Sequence, residues 1–68
     1  MAEVLKAIEE AINDEQEAQR KYRELKEQAE DEEARKLYEQ LISDEKEHEK
    51  ILRSRYQALK ESLGGDEL

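Results

Sequence analysis

The sequence predicts an all-α chain, a two-helix antiparallel hairpin that homodimerises into a four-helix bundle. Three observations predict it. The 68 residues contain no Pro and are rich in Ala, Leu, Glu, Lys, Arg and Gln, the residues that cost a helix least. Apolar residues recur at steps of three and four along both halves, and no stretch alternates with the period of two that a strand requires. One break separates the halves, at Ala29-Glu30-Asp31-Glu32-Glu33.

The first helix is expected over about residues 3–29. Its stripe runs through Leu5, Ile8, Ile12, Gln19 or Ala18, Tyr22, Leu25 and Ala29. At the break, Asp31 is a good N-cap, and Glu32 and Glu33 suit the positive end of a helix dipole. The second helix is expected over about 32–62, with apolar positions at Ala34, Leu37, Tyr38, Leu41, Ile42, Ile51, Leu52, Tyr56, Leu59 and Leu63. Gly64 and Gly65 would end it in the usual C-terminal way. This gives a hairpin over 1–63 and a loose tail over 64–68. Packing two stripes together leaves part of each uncovered, and a chain this short lacks the core for independent stability. A second copy about a two-fold axis, or a larger assembly, is the expected cover.

Composition narrows the function. The net charge is -8, with 47% charged residues, which argues against nucleic acid because phosphate binding needs a basic face. No apolar run approaches the ~20 residues that span a bilayer. The start, Met1-Ala2-Glu3-Val4, has no basic n-region or signal core, so a cytoplasmic protein is the expectation. There is no Cys, hence no disulfide and no thiolate metal site.

The informative residues are polar ones on the apolar stripes. Glu15 falls between Ile12 and Tyr22 on the first; Glu45 and His48 fall between Leu41 and Leu52 on the second. A buried, unpaired carboxylate is costly, so each position asks for a reason. Their heights agree. At ~1.5 Å per residue from Asp31, Glu15 lies roughly 24 Å from the turn, and Glu45 and His48 lie at roughly 21 and 26 Å. Residues 45 and 48, spaced i, i+3, share a helix face. A two-fold pairing of such hairpins assembles four carboxylates and two imidazoles, the ligand set of di-iron or di-manganese carboxylate bundles. These donors suit Fe, Mn or Zn better than Cu(I). Tyr22 and Tyr38, each seven residues from a glutamate of the set, are candidates to hydrogen-bond toward it. The remaining glutamates, Glu9, Glu10, Glu17, Glu24, Glu27, Glu39, Glu47 and Glu49, fall off the stripes and are expected in solvent, paired with Lys or Arg one turn away. Two alternatives stay open: a structural metal clamp such as Zn joining two hairpins, and a metal-free acidic module that only dimerises, its polar groups near water.

The stretch Glu15-Gln16-Glu17-Ala18-Gln19-Arg20-Lys21-Tyr22 resembles the first ligand helix of rubrerythrins, where a ligand glutamate lies seven residues before an aromatic. Asp44-Glu45-Lys46-Glu47-His48 resembles their second ligand helix, and the linker from Ala29 to Glu33 their usual helix turn. The resemblance covers roughly residues 4–60 and corresponds to half of a ferritin-like four-helix domain. It is similar in this to encapsulated ferritins, in which each chain supplies two main helices and the di-iron site forms between chains. The resemblance implies Glu45 as a bridging carboxylate, Glu15 as a terminal one and His48 as a terminal nitrogen ligand. It implies two iron ions per dimer, with Mn or Zn as substitutes. Its chemistry is oxidation of Fe(II) by O2 or hydrogen peroxide, of the ferroxidase or peroxidase type, at the dimer interface. Two departures stand out. Ala18 occupies the position of the extra carboxylate that rubrerythrins use in peroxide reduction, and the chain has no four-Cys rubredoxin domain for electron delivery.

Overall fold

A computed structural model describes residues 2–64. Two helices, α1 (Ala2–Gln28) and α2 (Glu32–Gly64), make up the hairpin, and no strand occurs among the described residues. Helix α1 starts and stops one residue earlier than the periodicity suggests. Its last turn tightens, with the Ala29 amide donating to the Lys26 carbonyl at 3.2 Å. The Ala29 carbonyl is then taken by Arg35 Nη1 at 2.7 Å, so a side chain of α2 satisfies the end of α1. Asp31 caps α2 as its chemistry requires. Its carboxylate accepts the Ala34 amide at 3.2 Å, and its carbonyl accepts the first helical bond, from Arg35, at 3.0 Å. Helix α2 continues through Gly64, two residues past the expected end. The remainder of the expected tail, 65–68, lies outside the described residues.

The helices form a rod of 53 × 14 × 12 Å. Its seam is thin. Among the apolar side chains of the described residues only Ile12 and Ile42 are buried, at 8% and 9% exposure. Leu5, Ile8, Leu25, Leu41, Leu52, Leu59 and Leu63 are half-buried. Toward the turn, Tyr22 and Tyr38 stack across the seam with ring centroids 6.5 Å apart and planes 22° from parallel. An exposed ion pair, Lys26 Nζ to Glu39 Oε2 at 3.0 Å, joins the helices at the same end. At the open end the Tyr56 hydroxyl donates to Glu9 Oε2 at 2.7 Å.

Large apolar side chains remain outside the seam: Leu37, Ile51 and Val4 are 57%, 48% and 39% exposed. On α2 these are not scattered. Leu37, Leu41, His48, Ile51 and Leu52 fall within roughly 100° of arc, beside the arc of Tyr38, Ile42, Glu45 and Tyr56 that faces α1. Leu37 and Ile51 thus lie beside the arc that packs on α1 rather than on it, with Leu41 and Leu52 half-buried between.

Candidate metal centre

The stripe interruptions meet in space. Glu15, from the middle of α1, and Glu45 and His48, from the middle of α2, each bring one donor atom to within 4.8 Å of the others. The antiparallel pairing fixed by the short turn sets equal heights, and the i, i+3 spacing of Glu45 and His48 puts both on one side of α2. His48 Nδ1 lies 3.4 Å from Glu15 Oε2 and 3.3 Å from Glu45 Oε1. The two carboxylates are largely covered, with side chains 20% and 18% exposed, whereas His48 is 55% exposed on the open arc of α2.

Glu15 carries the anomaly of the site. Its Oε2 is buried and receives no hydrogen bond. Burial first, and then the Glu45 carboxyl beside it, push the Glu15 carboxyl above the ordinary glutamate range; the His48 imidazole pulls the other way. An unpaired carboxylate oxygen facing a second carboxylate and an imidazole is a poor arrangement for protein atoms alone. It becomes a good one when a divalent cation stands among the three, because each group then donates a lone pair to positive charge.

Sequence reasoning placed Glu49 in solvent, and this is corrected. Its side chain is 19% exposed. Gln16 Nε2 donates to its Oε2 at 3.1 Å, Gln19 Nε2 to its Oε1 at 2.8 Å, and Arg53 Nε to Oε2 at 2.9 Å. The Gln19 amide above all, then Arg53 and Gln16, hold the Glu49 carboxyl below the ordinary glutamate range. Only the Arg53 contact, one turn along α2, fits the expected surface pairing. Gln19, at 6% exposure, is more deeply buried than either core isoleucine. Its position on the α1 stripe was the available signal, as was the i+4 spacing of Glu49 from Glu45. Tyr22 and Tyr38 engage each other's rings, two turns from the cluster. Tyr56, a further stripe tyrosine, has its hydroxyl pushed above the ordinary tyrosine range by its bond to Glu9.

A hairpin with glutamate on one helix opposite Glu-x-x-His on the next belongs to the carboxylate–histidine helical class, the ferritin-like architecture. The family that matches this chain is Rubrerythrin, over residues 4–67. The chain therefore belongs to the rubrerythrin family, whose members generally bind iron. No curated protein and no solved structure matches it. No helix among the described residues is long and apolar enough to cross a membrane.

Proposed function

We propose that two copies of this chain pair into a four-helix bundle that holds two iron ions and oxidises Fe(II) with O2 or hydrogen peroxide. Glu15, Glu45 and His48 of each copy would be the ligands. The observation that carries this reading is the buried Oε2 of Glu15, which has no hydrogen bond, beside Glu45 and His48. Family membership gives that donor set a precedent in iron.

The pairing is supported by what the hairpin leaves open. Two buried apolar side chains are too few to offset the conformational entropy of so many ordered residues. The uncovered arc of α2 carries Leu37 and Ile51 on either side of His48. A partner seated there would cover the apolar residues and bring a second set of donors toward the first. His48, the most exposed of the three, is the ligand whose surroundings pairing changes most.

Iron held by Glu15, Glu45 and His48 of the two copies would supply the electrons: with uptake of two protons, two Fe(II) would reduce one hydrogen peroxide to two waters, or one O2 to hydrogen peroxide. The chain's own residues orient and exclude. Glu15 and Glu45 supply negative charge against the cations, and their burial limits competing water. His48 would add a nitrogen donor to each ion and leave charge compensation to the carboxylates. A structural reading, with a redox-inert ion such as Zn clamping two hairpins, draws on the same thin core. Aerobic turnover separates the two. The oxidative reading expects purified protein to consume O2 or peroxide in proportion to added Fe(II), faster than buffer alone. The clamp reading expects only a metal-dependent rise in melting temperature.

A further inference from the structure

Beside the three donors lies a second polar group that they do not use. Glu49 is one turn beyond Glu45 on α2 and next to His48 in sequence; its partners Gln16 and Gln19 are the residue after Glu15 and the residue one turn beyond it on α1. One carboxylate thus ties the immediate flank of the α1 donor to the immediate flank of both α2 donors, at 2.8 and 3.1 Å. Arg53 closes the group with Nε and Nη2, both 2.9 Å from Glu49 Oε2.

We infer that Glu49, with Gln16 and Gln19, positions the site by fixing the height and roll of α1 against α2 where Glu15, Glu45 and His48 converge. This rests on the metal reading above, and it assigns Glu49 a positioning role rather than a place among the ligands.

The turn constrains the helices at its own end only. Glu15 stands roughly 24 Å from Asp31, far enough for small differences in helix roll to move a side chain off its target. Apart from the approach of His48 to Glu15 within the site and the Arg35–Ala29 bond at the turn, the other polar contacts that cross the seam among the described residues are Lys26–Glu39 toward the turn and Tyr56–Glu9 toward the open end. Both are exposed, where a single contact orders little. In the Glu49 group the carboxylate and the two glutamines are largely covered, and only Arg53 is exposed. The group is also selective: Gln16 and Gln19, spaced i, i+3, each reach a different oxygen of one carboxylate, and a slide of α1 by one turn would leave at most one such bond. A seam of leucine and isoleucine tolerates such slips, whereas a satisfied buried polar group names one register. Arg53 has a second effect. Its guanidinium offsets the Glu49 charge and occupies Oε2, which keeps a carboxylate next to His48 from competing for the cation.

The test uses Co(II), whose visible absorption reports ligand number and geometry, titrated into the full chain and four variants. Glu49→Leu removes the carboxylate. The triple variant Gln16→Leu/Gln19→Leu/Glu49→Leu replaces the three covered members by apolar residues and leaves exposed Arg53 to solvent, which keeps the seam packed and the melting temperature at or above that of the parent. Glu49→Gln keeps an acceptor oxygen, and His48→Ala marks loss of a ligand. The expected result is Co(II) affinity weakened roughly 10–100-fold in the triple variant, the magnitude typical of residues that orient ligands. Its absorption bands should change despite undiminished thermal stability, and Glu49→Gln should bind more tightly than Glu49→Leu. A triple variant with the parent's affinity and bands would overturn the positioning role while leaving the metal site standing. A parent chain that takes up no Co(II) saturably would overturn the metal reading itself.

Discussion

The double substitution Leu37→Ser/Ile51→Ser perturbs the uncovered arc of α2 without touching a seam residue or a candidate ligand. Leu37 is 57% exposed and Ile51 48% exposed in the single hairpin. Complete burial of such a side chain contributes about 1.5–3 kcal/mol. With roughly half of each already covered, the partner's share is about 0.7–1.5 kcal/mol per residue, or about 3–6 kcal/mol over both residues of both copies. At about 1.4 kcal/mol per tenfold, the dimer dissociation constant should rise by roughly 10²–10⁴. Sedimentation equilibrium over a concentration series reads this directly. The variant should also melt below the parent at each protein concentration, since fold and assembly are linked. A variant that keeps the parent's mass and melting temperature at every concentration would refute the idea that this arc is an interface.

Other perturbations separate the site from the scaffold. Glu15→Gln should stabilise the metal-free protein at pH 7 by about 1 kcal/mol, because it removes charge from a buried oxygen without a hydrogen bond, beside the Glu45 carboxyl. The sign follows from the raised Glu15 carboxyl: the folded chain binds the proton more tightly than the unfolded one, so this group's contribution declines as pH rises from the ordinary glutamate range through the raised value. Urea melts at pH 7 and pH 4 should therefore show the advantage of Glu15→Gln shrinking at the lower pH. Glu49 has the opposite sign. Its lowered carboxyl adds stability that is present above the ordinary glutamate range and lost as pH falls through the lowered value, so Glu49→Gln should cost most at neutral pH. Asp31→Ala should cost about 1 kcal/mol by removing the cap on the Ala34 amide, measured by the same melts, with no change in metal stoichiometry.

Much of this arrangement can be read from residue spacing because an antiparallel hairpin leaves few freedoms. Helix period and one capped break fix which residues share a face, and the short turn fixes which heights match. Those two constraints bring Glu15, Glu45 and His48 together before any side chain is placed. The residues that escape the same reasoning are those whose environment depends on reach across the seam. Glu49 looks like one of many surface glutamates in a chain this acidic, yet its carboxylate extends to two glutamines of α1. Arg35 is similar: nothing in its spacing signals that its guanidinium closes the end of the other helix. Long polar side chains choose among partners by distance in three dimensions, and periodicity carries only their direction. The exposure of Leu37 and Ile51, beside the half-burial of Leu41 and Leu52, likewise depends on the angle at which α2 meets α1.

The central claim is that Glu15, Glu45 and His48 of two paired chains form one two-metal site. Anaerobic titration of the metal-free protein with Fe(II), followed by air and watched in the near ultraviolet, tests it most directly. The account predicts saturation at about one iron per chain, then growth of a ferric charge-transfer absorption that His48→Ala abolishes while the variant stays folded. An iron uptake that never saturates, or one that saturates equally well in His48→Ala, would contradict it.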